Sequence, residues 1–338
     1  MKLGFQGWFL AQPHTGIGQH SLGLLRVLAA TKNVQLTVVT PSKFPGAHTL
    51  KPKAWLLHPA LKKWYWERVQ VPAFFAEKTL DWEYYPYPCP LPEASAHRRA
   101  MTVHDTILWD DPRYRGNRLK RAYHRRAKHA LIHVDHLFTV SRATHNELGI
   151  PAATVLHNGL PEIPTGLKKM PYENDLIYIG GYDIRKNVPE LIRQFVLYHK
   201  SHPERRLLLV GEAHHHSRYY PKLPTHPAVV QLGKLSEKAL YSALKSAFAF
   251  VHFSDSEGFN IPLLQAMAVG TPTIVRDLSV NREVSHGASL FLKSSLSASL
   301  KKLEEPKTRA ALVIKARQAA RSYSWTKTAQ HFLKALLS

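Results

Sequence analysis

The sequence predicts an α/β fold of two Rossmann-like domains facing a cleft, each a parallel sheet covered by helices. Three observations carry that expectation. Short apolar runs alternate with helical patterns from the N-terminus, the same alternation restarts in the second half, and a stretch punctuated by Pro and Gly separates the two. A chain of 338 residues that is 44% hydrophobic can bury two cores, which favours two domains over one.

Taken in order, the runs at 3–6, 34–40, 100–104, 136–140 and 154–156 read as strands of the first half. Those at 175–180, 206–210, 229–232, 247–253 and 273–276 read as strands of the second. Between them the segment 161–171, PEIPTGLKKMP, lacks periodicity and reads as a linker. The expected organisation is a first domain over 1–162, a linker over 163–172, a second domain over 173–322 and a terminal helix over 323–338. In open parallel sheets ligands sit beyond the carboxyl ends of the strands, so the active site is expected in the cleft between the domains.

The formal charge of +22 predicts attraction to something anionic. Charge is densest from Arg113 to Lys128, where Leu119, Tyr123, Ala127 and Ala130 recur at helical spacing beside the basic residues. A narrow apolar stripe with a wide cationic face fits a solvated surface helix and a helix lying on an anionic membrane equally well. The single cysteine, Cys89, excludes an internal disulfide framework. No apolar stretch of signal-peptide or membrane-span length is visible, so a cytoplasmic protein is expected, peripheral at the inner face of the membrane if the basic helix binds lipid.

The segment 250–272, FVHFSDSEGFNIPLLQAMAVGTP, reads as strand, tight loop, helix and stop. Pro262 suits a first helical turn and Gly270 a C-terminal stop. Amides at Gly258, Phe259 and Asn260 would open the helix as an anion site, with Glu257 before them and Gln265 one turn inside. This segment resembles the signature of glycosyltransferase family 4, two glutamates separated by seven residues. The resemblance implies that Glu257 contacts the transferred sugar and that position 265 binds the ribose of a nucleotide. Gln265 stands where the family has its second glutamate, and loses the charge-assisted part of that bond.

A second segment, 176–187, LIYIGGYDIRKN, carries the strand into a glycine turn at Gly181 and then into Arg185 and Lys186. Asn187 and Glu190 have capping-box spacing, which would put both cations just before a helix N-terminus, a poor place for them unless an anion lies between. In the family an Arg and a Lys neutralise the departing diphosphate. Thr15-Gly16-Ile17-Gly18 precedes a helical pattern, as an ordinary tight turn or as the family's glycine loop approaching donor phosphate or acceptor. His104 ends a strand, where the family places a histidine near the donor sugar. Leu235 and Ser236 match the region that packs on the nucleotide base, although Ser236 also suits a helix N-cap. HNG at 157–159 and YSWTKT at 323–328 extend the likeness over nearly the whole chain; Glu283 matches an acidic position of uncertain role.

The resemblance implies a GT-B fold whose terminal helix returns to the first domain, and a retaining hexosyltransferase using a nucleotide-diphosphate sugar, of mannose or rhamnose type. The implied acceptor is a glycan or lipid-linked glycan of a cell-surface polysaccharide such as lipopolysaccharide, O-antigen or capsule. No Asp-x-Asp occurs and His214-His215-His216 has no partner ligands at useful spacing, so no metal or other cofactor is expected. Two alternatives stand beside this: a basic nucleic-acid-binding protein on a retained scaffold, although no recognised nucleic-acid module is present, and a sugar-nucleotide binder that no longer catalyses. Trp64, Trp66, Trp82, Tyr84, Tyr85 and Tyr87 would stack on sugars or lipid, or fill the core.

Overall fold

The computed structural model describes residues 1–114, 116–212 and 220–338; the His214-His215-His216 run lies outside the described residues. The chain forms two compact units, Met1–Gly159 with Ser324–Ser338, and Leu160–Tyr323.

The first unit is built on seven strands: β1 (Lys2–Gln6), β2 (Gln35–Thr40), β3 (His48–Thr49), β4 (Trp82–Tyr85), β5 (Arg98–Val103), β6 (His136–Thr139) and β7 (Thr154–Val155). Their order is β3-β2-β1-β4-β5-β6-β7 and every pairing is parallel. Two of them, β3 and β4, escape the sequence reading. β3 is only two residues long and exposed. β4 is disguised by its aromatic run and by Glu83, which is 1% exposed and sits inside the strand. That carboxylate is tolerated because Tyr85, His97 and Arg99 all reach it, at 2.8, 3.1 and 3.4 Å. Of the aromatic cluster, Trp66, Trp82, Tyr84, Tyr85 and Tyr87 are buried in the core of this unit.

The terminal helix Trp325–Leu337 packs within this first unit, against Leu24, Leu28 and Phe138. Its seat requires two small residues: a Cβ on Gly23 would lie 2.1 Å from the Trp325 ring, and one on Gly159 2.2 Å from the Trp325 amide nitrogen. Thr328 Oγ1 donates to the His157 carbonyl at 2.8 Å, and Trp82 Nε1 to that of Leu336 at 3.1 Å.

The basic segment is a helix, Arg118–Ala130. Its apolar stripe corrects the membrane-helix expectation in one respect. Ala127 and Ala130 are buried and Tyr123 donates to the buried Glu67 at 2.7 Å, so most of the stripe is spent on the core, as in any amphipathic helix of a globular unit. Leu119, 51% exposed, is left beside the cationic face of Arg121, Arg125, Arg126 and Lys128. Among the described residues no helix is long and apolar enough to cross a membrane.

The second unit holds six parallel strands, β8 (Leu176–Ile179), β9 (Leu207–Val210), β10 (Val229–Gly233), β11 (Ala249–His252), β12 (Thr273–Arg276) and β13 (Leu290–Leu292), in the order β10-β9-β8-β11-β12-β13. The three-residue, half-buried β13 is the strand the sequence reading lacks. Leu176, Tyr178, Leu191, Ile192, Phe195, Leu207 and Val251 fill its core. The segment read as a linker clusters with this unit: the amides of Lys168 and Met170 donate to Ser242 and Ser246 at 3.1 and 2.8 Å.

Candidate active site

In the second sheet the chain runs outward from β8 to β9 and β10, then returns to place β11 on the other side of β8. Such a reversal opens a crevice at the carboxyl ends of the two central strands, where the loops diverge. β8 ends at Ile179 and leads into Gly180 and Gly181; β11 ends at His252 and leads into the loop bearing Glu257. The two loops are stitched together. The Asp255 amide donates to the Arg185 carbonyl at 2.7 Å, Arg185 Nη1 to the Ser256 carbonyl at 2.7 Å, and Asn187 Nδ2 to Asp255 Oδ1 at 3.3 Å. Arg276, at the end of β12, holds Asp255 from the other side at 2.7 Å.

Asn187 does not form the expected capping box. It sits in the left-handed region at φ 50°, without a side-chain bond to the helix Val188–His199. The cause is the single 3-10 turn Ile184–Lys186 before it, whose exit requires a left-handed residue and turns the side chain towards Asp255. Glu190 bonds instead to Arg193 and Gln194 on its own helix.

That turn brings three expected site residues into contact. Glu257 accepts from Lys186 Nζ at 2.5 Å and from Arg185 Nη1 at 3.0 Å, and lies 3.5 Å from His252 Nε2. Burial pushes the Glu257 carboxyl up, but Lys186, Arg185 and His252 together outweigh it and hold it well below the usual carboxylate range. Lys186 is pushed down, by burial first and then by Arg185, against the opposing pull of Glu257. His252 is fully buried, which lowers it to about 3 and keeps it neutral. The cluster therefore sets Arg185 and Lys186 against two carboxylates, Glu257 and Asp183, whose Oδ1 lies 3.8 Å from Arg185 Nε, so an incoming anion would compete with them for the two cations.

His252 was not singled out from the sequence, since a histidine inside an apolar strand reads as core. Its ring stacks on Tyr178 and Phe250, with centroids 5.6 and 5.8 Å away. Asn260 Nδ2 approaches its Nδ1 at 3.4 Å and donates to Asn281 Oδ1 at 2.9 Å. Asn260 Oδ1 meanwhile caps the helix Ile261–Val269 by accepting from the Leu263 amide at 3.3 Å. Asn281, Asn260 and His252 thus form a polar chain that reaches towards Glu257 but stops 3.5 Å short of it at His252 Nε2, which has no hydrogen-bond partner among the described residues.

The remaining residues expected to bind the donor lie elsewhere in this unit or in the other. Phe259 is 3% exposed and its ring packs edge-on against Tyr323, so its side chain is core and only its backbone faces the turn with Gly258. Gln265 is 4% exposed, one helical turn inside, against Tyr241, whose hydroxyl burial pushes up to about 12 despite the Gln265 amide. Tyr178 donates to the Gly181 carbonyl at 2.7 Å, which fixes the glycine turn. Leu235 is half-buried; exposed Ser236 is the N-cap of the helix Glu237–Ser246, accepting from the Ala239 amide at 3.3 Å.

Gly16, Gly18 and His104 belong to the other unit. The expected glycine loop is the first turn of the helix Gly16–Ala29: Gly18 is required because a Cβ there would meet the carbonyl oxygen of Gln12 in the preceding turn at 2.0 Å, whereas a Cβ on Gly16 would meet nothing within 4 Å. His104 Nε2 donates to the Pro86 carbonyl at 2.7 Å, which leaves Nδ1 as the acceptor nitrogen. Burial, then the His20 ring, lower it to about 3. At the β1/β4 reversal of this sheet lies a further group absent from the sequence reading. Glu67, wholly buried and raised by burial, accepts from Tyr87 at 2.5 Å and Tyr123 at 2.7 Å. Lys63, 3.5 Å from it, lies over the rings of Trp8, Phe9, Tyr87 and Tyr123.

Residues 161–319 match the family described as Glycosyl transferases group 1. The chain is 24% identical over 271 residues to the O-antigen chain mannosyltransferase RfbU of Salmonella typhimurium, covering 76% of this chain and 72% of that protein. Among solved structures it resembles Anabaena HepE in complex with UDP and glucose, with a TM-score of 0.74 and 16% identity over 100% of both chains. It also resembles WaaG, a glycosyltransferase involved in lipopolysaccharide biosynthesis, with a TM-score of 0.72 and 16% identity over 99% of this chain and 98% of that one. These structural likenesses show the fold, which is GT-B.

Proposed function

We propose, from the match of residues 161–319 to the Glycosyl transferases group 1 family, that the chain is a retaining, metal-independent hexosyltransferase. It moves a sugar of mannose or rhamnose type from a nucleotide-diphosphate donor to a glycan or lipid-linked glycan of a surface polysaccharide. One observation carries the reading: Glu257 bridges Lys186 and Arg185 at the reversal point of the sheet, beside a helix N-terminus. The Salmonella O-antigen mannosyltransferase and WaaG, a glycosyltransferase of lipopolysaccharide biosynthesis, support the polysaccharide assignment.

In the proposed reaction the diphosphate takes over the two cations and the amides at Gly258, Phe259 and Asn260. Glu257 is released to the sugar hydroxyls, Gln265 meets the ribose, and Leu235 and Ser236 flank the base. As the glycosidic bond breaks, charge builds on the diphosphate where fixed donors already wait. Glu257 stays ionised far below neutral pH and so is a weak base, which suits a hydroxyl ligand better than a proton acceptor. The departing phosphate then receives the acceptor proton. His104 Nδ1, with no proton of its own, accepts from a sugar hydroxyl.

The test is a panel of nucleotide-diphosphate sugars incubated with the protein, a glycan acceptor and a chelator, scored for nucleotide release. Release from one donor, indifferent to chelator, is expected. Release that requires added divalent ion would remove metal independence, and donor binding with no release from any acceptor would leave a pseudoenzyme.

The exposed cations of the helix Arg118–Ala130 are proposed to hold the enzyme at an anionic membrane surface. Each basic residue near such a surface contributes about 1 kcal/mol, so reversing Arg121, Arg125 and Arg126 to Glu should abolish sedimentation with anionic vesicles. Equal binding of the native protein to neutral vesicles would refute the electrostatic account.

A further inference from the structure

We infer that the first unit carries a surface site for a divalent transition metal of the zinc class, formed by Glu93, His129 and His133. Their donor atoms all lie within 4.8 Å of one another, and the two imidazole Nε2 atoms are 3.2 Å apart. Two nitrogens each about 2.0–2.1 Å from a tetrahedral zinc ion are separated by roughly 3.3 Å, so the imidazole pair already has the spacing of a chelate. Glu93, exposed on the same surface, closes the third position, and water completes the shell.

Both sides of the site are held in place by buried structure. The histidines are four residues apart, at the last turn of the helix Arg118–Ala130 and the end of the 3-10 turn Leu131–His133, where buried Leu131 anchors the backbone between them. On the other side Glu93 lies between two carbonyls gripped by one buried guanidinium: Arg99, 1% exposed, donates to Pro92 at 2.6 Å and to Ala94 at 2.7 Å. The Leu91 carbonyl is held in turn by Arg68. A loop fixed in this way presents its glutamate at a set place, and such support of ligands by the residues behind them is what makes a metal site selective.

The donor set chooses the ion. Two imidazoles and one carboxylate suit zinc, copper(II) or nickel(II), whereas magnesium and calcium require oxygen ligands throughout. The surrounding helix is basic, but Lys128 Nζ is drawn over the Trp109 ring, 5.6 Å from its centroid, and Glu93 supplies compensating negative charge. Bound metal would staple the loop around Glu93 to the end of the basic helix. This is separate from the donor chemistry, whose charged residues belong to the second unit.

The experiment uses full-length protein stripped of metal and titrated with zinc chloride against a chromophoric chelator, with Tm measured alongside. One equivalent should bind through this site and raise Tm, magnesium should do neither, and His129→Ala or His133→Ala should each remove that equivalent. Glu93→Gln should weaken binding by roughly tenfold or more while leaving the Tm of the metal-free protein unchanged. A variant with His214, His215 and His216 all replaced by Ala controls for the other histidine cluster and should retain the equivalent. Unchanged stoichiometry in both single-histidine variants, or zinc lost only in the triple variant, would overturn the assignment.

Discussion

Replacing Lys186 with alanine is expected to lower turnover by about 10²–10³-fold, the usual cost of removing one fixed donor from developing negative charge. The ammonium lies in a buried pair with Glu257, so some loss of stability accompanies it; Glu257 nevertheless keeps Arg185 at 3.0 Å and is not left unpaired. The effect should therefore be much larger in the rate than in the fold. The pH dependence gives a second readout. Lys186 titrates below an ordinary lysine in the free protein, so the alkaline limb of kcat/KM should fall early. A bound diphosphate favours the ammonium and should move the corresponding limb of kcat to higher pH. Both features should vanish in the variant. Steady-state kinetics across pH with a cleavable donor checks this, and unchanged turnover would remove Lys186 from the chemistry.

The sequence made this site partly legible because its loops are defined by residues with strong local preferences. Asn260, Pro262 and Gly270 bound one helix, and Arg185 and Lys186 follow a glycine turn, so the elements could be placed before the structure was known. Their mutual contacts could not. Glu257 and Lys186 are 71 positions apart, and only the order of β8 and β11 in the sheet brings them together. The capping box failed for a related reason: Asn187 has the right spacing, but a preceding 3-10 turn fixed its backbone in the left-handed region. β4 was hidden because a buried Glu83 breaks the apolar pattern, and its partners Arg99 and His97 come from elsewhere in the chain. His252 shows the same limit, since its neighbours Asn260 and Asn281 are supplied by two different helix ends. Pattern gave the elements, and long-range pairing decided what the polar side chains do.

Replacing Glu257 with glutamine should move stability, nucleotide binding and turnover in directions that a purely structural role cannot reproduce. Removing the carboxylate leaves Lys186 without its partner and Arg185 with Asp183 alone, 3.8 Å away, and breaking a buried pair from one side costs about 3 kcal/mol or more. The sign of the pH effect follows from the depressed carboxyl: its contribution is complete above the ordinary carboxylate pKa and is lost as pH falls towards the lower folded value. Tm of the native protein should therefore fall in acid through this group, and the variant should lack that component. The cations, now matched by Asp183 alone, should then welcome a diphosphate. UDP or GDP, whichever matches the donor, should bind the variant roughly tenfold tighter and raise its Tm more than it raises that of the native protein. Donor turnover should nonetheless drop by about 10²-fold or more, because the contact to the transferred sugar is gone. Calorimetric titration of both proteins with the nucleoside diphosphate separates the readings. Tighter product binding with lost transfer places Glu257 on the sugar and the cations on the phosphates; weakening of both together would reduce the carboxylate to a structural bridge between the loops after β8 and β11.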